Sequence, residues 1–415
     1  MIFGFDLSFN PKPVDTFHLD INSCFAAIEQ QANPALRFKP VVVAAYPTPN
    51  GCILAASVEA KKLGIKTGFR VKEGRLLCPD LVVLPSDPPK YRRVHLQLKA
   101  ILGDFSPTVV PCSIDEFTFK PFCPQGNLLE KAKEIKQRIK REIGDVVTVS
   151  IGIAPNRYLA KVASNLQKPN GLVEINKSNF QQIFQNLKLS DLTGIKAGNV
   201  NRLNLAGITT VWDFYQATPL QLKAAFLAVT GFYWFWRLHG YEVDDFVSRR
   251  GSFGNSYALP SGWENPLPIL AKLITKTGVR LRAAGYGARG IHLALWYRDG
   301  LFRQQSISQD QVLFDSREIL VKAQRLLNRL HDQKQLREIA VSVFNLVPKK
   351  FLQLNLFNDA QKKDCLAAAV DSVNRRWGDF ALTSARMANT KNLVLDRIAF
   401  GNVRELTEFP LSPRS

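Results

Sequence analysis

Apolar positions along the chain recur at two spacings, and the two alternate. DTFHLDI (15–21) is a short apolar run that reads as a strand with Asp20 at its end. In NSCFAAIEQQ, Phe25 and Ile28 recur at helical spacing. KPVVVAAY (39–46) and GCILAAS (51–57) read as strands around a Pro/Asn/Gly turn. VEAKKLGI reads as a short helix stopped at Gly64. Residues 90–104 are amphipathic and helical, and TVVPCSIDEFTF (108–119) reads as two strands with a tight connection near Cys112–Ser113. A charged helix is expected over 128–143, a strand over DVVTVSIGIA (145–154), and a helix in NRYLAKVASNLQ that ends before Lys168-Pro169. This order predicts an antiparallel α+β sheet with helices on one face.

From 180 to 240 the pattern is helical, with Gly194 and Gly198 expected in a short turn between helical segments. The basic linker VSRRGSFGNSY (247–257) follows, and helix and strand patterns then alternate to about residue 347. A Pro-Lys-Lys break at 348 opens a tail, in which 358–380 read as an amphipathic helix. No internal repeat is present. A length of 415 residues exceeds one ordinary core.

Composition narrows the class. At 46% hydrophobic and 22% charged residues the chain is of the globular type, and no run of about 18 apolar residues calls for a membrane span. MIFGFDLSFNPKPVD lacks a basic start and a small-residue cleavage site, so no secretory signal is expected. Cys24, Cys52, Cys78, Cys112, Cys123 and Cys365 form no CxxC pair, which fits reduced thiols and a cytoplasmic protein. Lys and Arg number 55 against 35 Asp and Glu, a formal charge of +20. That surplus makes a polyanion the first partner to consider.

Asp115 and Glu116 sit side by side in CSIDEFTF. A buried acidic pair without compensation is strongly destabilising, so it must meet water, a basic side chain or a cation. Asp20 ends a strand that can lie beside the 108–119 hairpin. Three carboxylates converging at a sheet surface suit Mg²⁺, and two such ions about 3.5–4 Å apart serve phosphoryl or nucleotidyl transfer.

HLDINSCFAAIE (18–29), SIDE (113–116), SIGIAPNRYLAKVASNLQKPNG (150–171) and VRLRAAGYGAR (279–289) together resemble the Y-family translesion DNA polymerases, closest to the DNA polymerase IV branch. The likeness runs in consistent order from about residue 15 to 357. It implies an α+β right-hand polymerase with a ferredoxin-like palm, small fingers and a helical thumb, joined to an α+β little finger. The palm would take residues 1–21 and 88–180, the fingers 22–87, the thumb 181–243 with a helix–hairpin–helix, the little finger 249–347 and the tail 348–415.

The resemblance implies Asp20, Asp115 and Glu116 as ligands of two Mg²⁺ ions, with the Ile21 carbonyl assisting. Phe25 stands where the family places its steric gate against a ribose 2′-hydroxyl; a core aromatic is the other reading. Lys168 matches the lysine that meets the incoming triphosphate, and a solvated loop lysine is its bland counterpart. In the fingers the chain departs from the family's approximate T-A-N-Y-E-A-R: here it reads Ala55-Ala56-Ser57-Val58-Glu59-Ala60-Lys61. Val58 has no hydroxyl, and Lys61 keeps the charge but loses the planar fork. Each lost donor weakens triphosphate binding by roughly 1.5–3 kcal/mol.

Gly194 and Gly198 are expected to let backbone N–H groups approach a DNA phosphate. Arg249, Arg250, Arg280, Arg282 and Arg289 are candidates to track the duplex. QLNLF (353–357) is similar to the peptide by which bacterial polymerases dock on the sliding clamp, with Gln353, Leu354, Leu356 and Phe357 as anchors. The expected partners are primer–template DNA, deoxynucleoside triphosphates and the clamp, with the protein a monomer near the nucleoid. Two rivals stand beside this reading: a catalytically weak DNA- and clamp-binding accessory of the same family, and a nucleotidyl cyclase.

Overall fold

The computed structural model describes residues 8–351 apart from 123–125, 245–249, 261, 264 and 333, and residues 360–394 apart from 379, 389 and 391–392. The chain divides into two compact units at residue 246.

The first unit begins with β1 (Thr16–Ile21), α1 (Cys24–Ala32), β2 (Val41–Ala44), β3 (Ile53–Ala56), α2 (Val58–Lys62), α3 (Val71–Leu77) and β4 (Val82–Pro85). It continues with α4 (Pro88–Gly103), β5 (Thr108–Pro111), β6 (Glu116–Lys120), α5 (Leu128–Glu142), β7 (Val149–Ala154), α6 (Arg157–Leu166) and β8 (Leu172–Glu174). Five helices complete it: α7 (Phe180–Asn186), α8 (Ala197–Leu205), α9 (Val211–Gln216), α10 (Pro219–Phe226) and α11 (Thr230–Leu238).

Five strands form the main sheet in the order β5-β6-β1-β7-β8, antiparallel except for β7 with β8. The run VSIGIA is continuously apolar, and all six residues of both β1 and β7 are buried. A strand buried on both faces needs cover on both. The His95 ring on α4 stacks on Phe117 of β6 at 4.7 Å, while α6 lies over the opposite face, against Gly152. The expectation of helices on one face is therefore corrected: the sheet is covered on both. The strand expected from residue 145 starts only at Val149.

β3-β2-β4 form a small separate sheet with α2 and α3, built on Val42, Ile53, Ile65 and Val71. Ser57 caps α2 by accepting from the Ala60 N–H. The helices α7–α11 pack around Phe184, Phe214, Leu222 and Trp234. Gly194, at φ +91°, occupies a left-handed turn. Gly198 does not share that turn, because α8 has already begun at Ala197.

The second unit holds β9 (Ser252–Ala258), α12 (Leu267–Ala283), β10 (Tyr286–Tyr297), β11 (Phe302–Leu313), α13 (Ser316–Leu330), β12 (Leu336–Pro348) and α14 (Ala360–Trp377). Its antiparallel sheet runs β11-β10-β12-β9, and α12 and α13 share its apolar core. The fold class is that expected, α+β in both units.

Candidate active site

β1 and β6 are antiparallel neighbours in a register that sets Asp20 opposite Glu116 and His18 opposite Thr118. Successive strand residues alternate between faces, so His18, Asp20, Thr118 and Glu116 share one face. His18, Asp20 and Glu116 each offer a ligand atom, and these lie within 4.8 Å of one another. Asp115 precedes β6, and its backbone carbonyl accepts from the Ile21 N–H at 3.0 Å. Its carboxylate accepts from Ser113 Oγ.

Asp20 and Asp115 open onto a cavity of about 540 Å³, lined also by Phe25, Ala55, Val58, Lys61, Lys62 and Lys168. Lys168 Nζ lies 2.8 Å from Asp20 Oδ2. Lys161 Nζ donates to both oxygens of Glu116, at 2.8 and 2.6 Å. The loop bearing Lys168 is pinned beneath: Gly171 N–H donates to Ser150 Oγ, and Ser150 Oγ donates to Asn22 Oδ1. Asn156 caps α6, placing Lys161 on the turn above Glu116, and its Nδ2 also donates to the carbonyls of Arg237 and Tyr241.

The charges are under stress. Burial pushes the Asp20 carboxyl up to about 6, against the pull of Lys168, and the neighbouring acids add to the rise. Burial also raises Asp115. Burial alone would raise Glu116, but the hydrogen bonds and charge of Lys161 outweigh it, and the carboxyl lies below the usual range. His18, with Nδ1 3.1 Å from Thr118 Oγ1, is lowered by burial to about 3 and stays neutral. Lys61 is lowered by burial and then by the nearby Lys168 charge. Crowded, partly buried carboxylates with oxygen donors fit a divalent cation, which would relieve both repulsion and burial.

Residues 19–165 match the model of the impB/mucB/samB family, and residues 247–356 match that of its C-terminal domain. A DNA polymerase IV of Pelotomaculum thermopropionicum is 32% identical over 378 residues, covering 88% of this chain and 93% of the relative. The chain belongs to this family, the Y-family DNA polymerases. DNA polymerase IV 1 of Bacillus subtilis is 30% identical, covering 87% of this chain and 90% of its own length. A solved chimeric Y-family DNA polymerase superposes with a TM-score of 0.70 at 25% identity, covering 80% of this chain and 99% of the other. This Y-family chain is thus a DNA-directed DNA polymerase of the translesion type, and its chemistry depends on a divalent metal. No helix among the described residues is long and apolar enough to cross a membrane.

The structure places the other expected residues as follows. Phe25 lines the cavity, is 1% exposed, and stacks on Tyr91 at 4.3 Å. Tyr91 OH in turn donates to buried Glu29 at 2.9 Å. Arg250 lies over the Phe253 ring, and Arg280 donates to Gly254 O and Asn255 Oδ1. Arg282 forms a bidentate pair with Asp371, while Arg289 is exposed on β10. Arg249 and the anchors Gln353, Leu354, Leu356 and Phe357 lie outside the described residues. Sequence reasoning missed Lys161, Ser113 and His18. Each stands inside a quoted motif, and Lys161 is seven residues before Lys168, on a helix whose face could have been aligned with the acids.

Proposed function

We propose that Asp20, Asp115 and Glu116, with the Ile21 carbonyl, hold two Mg²⁺ ions for template-directed addition of deoxynucleotides to a primer. The observation that carries this reading is the register of Asp20 opposite Glu116 together with the cavity that Asp20, Asp115 and Lys168 line. Bound there, the ions would neutralise charge on the primer 3′-hydroxyl and on the triphosphate, favouring attack at the α-phosphorus and loss of pyrophosphate. The protein's own part is positioning and electrostatics. Lys61 and Lys168 bind the triphosphate, and Lys62 adds a third ammonium to the same wall, which offsets the donors absent at Ala55 and Val58. Phe25 is the gate against ribose, its ring braced by Tyr91.

The palm comprises 1–21 and 88–180, the fingers 22–87, the thumb 181–243, the little finger 249–347 and the tail 348–415. Primer–template DNA is the macromolecular substrate. Gly194, Gly198 and, in the second unit, Arg249, Arg250, Arg280 and Arg289 contact its backbone, whereas Arg282 is taken up by Asp371, and QLNLF (353–357) docks on a sliding clamp. The chain works as a monomer at the nucleoid.

Primer extension with Mg²⁺ tests the assignment. Extension is expected for the wild type and none above background for Asp115→Asn. Equal extension by both would refute the acids' role. Absence of extension by the wild type, with DNA binding retained, would favour the accessory reading.

A further inference from the structure

The two lysines that neutralise the acids are built differently. Lys161 rides on α6, spans both oxygens of Glu116, and has a side chain 29% exposed. Lys168 reaches Asp20 from the loop after α6, through a single contact of 2.8 Å, and its side chain is 36% exposed. Of the two, only Lys168 lines the cavity.

An oxygen paired with an ammonium is a poor donor to a divalent cation, because cation and ammonium would then repel at a few ångströms. The same ammonium is the one assigned to the triphosphate, and it cannot serve Asp20 and a phosphate at once. We infer that Lys168 is an exchangeable counter-ion: it pairs with Asp20 in the free enzyme and moves to the triphosphate when nucleotide arrives, so that divalent cation and triphosphate bind interdependently. If Lys168 leaves for water, Asp20 remains buried beside Asp115 and Glu116 with no partner, which is costly. With the exchange completed, the phosphate compensates Lys168 and the cation compensates Asp20. The coupling is reciprocal: each ligand removes the obstacle to the other. This exchange presupposes that Asp20, Asp115 and Glu116 hold the cation.

The test uses the full chain without nucleotide, with Mn²⁺ as the probe and the unbound ion counted by electron paramagnetic resonance. Lys168→Ala is expected to bind Mn²⁺ about tenfold more tightly than the wild type, the low end of what a charged hydrogen bond is worth at a partly exposed site. Lys62→Ala removes a cavity charge that pairs with no acid among the described residues, and is expected to tighten binding by roughly twofold or less. No tightening in Lys168→Ala, or equal tightening in Lys62→Ala, would overturn the exchange. Asp115→Asn separates the two levels. Weakened Mn²⁺ binding there with Lys168→Ala unchanged overturns the exchange alone, whereas undiminished binding there overturns the metal site and the exchange together.

Discussion

Asp20 shows what the site costs the fold. Its folded carboxyl titrates near 6 against 3.8 when unfolded, chiefly through burial. The folded chain therefore prefers the protonated form. Stability is greatest below the unfolded value and declines as pH rises through about 6, with nothing further lost above that. Asparagine has the same shape and no charge. In chelator at pH 8, Asp20→Asn is expected to unfold at higher urea, by about 1–3 kcal/mol, with the gap closing below pH 4, while primer extension is lost. An equal midpoint at pH 8 would show that burial does not strain this carboxylate. Phe25 makes the opposite case, since its ring serves both stability and selection. Removing a ring that is 1% exposed and stacked on Tyr91 costs roughly 3–5 kcal/mol by cavity formation. Phe25→Ala is thus expected to lower the urea midpoint and also to raise ribonucleotide incorporation in the molecules that remain folded. Lower stability with unchanged sugar discrimination would leave Phe25 a core residue only.

At the scale of elements, α6 over β7 sets the site. Gly152 lets the helix approach: a Cβ there would come within 2.0 Å of the Ala160 carbonyl oxygen and 2.3 Å of the Ser164 nitrogen. Neither backbone atom can yield without moving α6, which carries Lys161 and leads into the Lys168 loop. Gly152→Ala is expected to cost about 1–3 kcal/mol by overpacking and to depress extension, whereas Ala154→Gly, one residue pair further along β7, should lower stability with less effect on activity. Urea unfolding and primer extension on the same preparations check both. Much of this part was legible in the sequence. The helical pattern marks α6, the apolar run marks β7, and the acids stand at strand ends. What escaped has physical reasons. A lysine on a helix looks solvated until the strand beneath it is known to present a carboxylate, so Lys161 carried no signal of its own. β11 carries little signal of its own because FRQQSISQDQ is polar at most positions, and pairing with β10 rather than an apolar stripe holds it in the sheet. The second cover on the main sheet was implicit in the unbroken apolar run VSIGIA, which an alternating strand with one wet face would not show.

For the whole molecule, a charge of +20 makes DNA affinity salt-dependent whatever the individual contacts. Net charge cannot say which arginines do the work, and the second unit separates them. Arg282 gives Nε and Nη2 to Asp371 of α14 at 2.7 and 2.8 Å, and Nη1 to the Phe314 carbonyl at 2.8 Å, with both side chains of the pair 13% exposed. A guanidinium so engaged fastens the tail helix to α12 and has little left for a phosphate. Arg289 is exposed on β10. Arg282→Ala would strand a half-buried Asp371, and the expected loss is about 1–3 kcal/mol in the second unit, seen as faster amide exchange in α14, with the slope of log affinity against log salt unchanged. Arg289→Ala should leave stability within about 0.5 kcal/mol and reduce that slope by about one. If the two variants instead exchange these behaviours, Arg282 tracks the duplex and the tail is held by other contacts, such as Lys349 with Asp364 and Lys363 with Glu318.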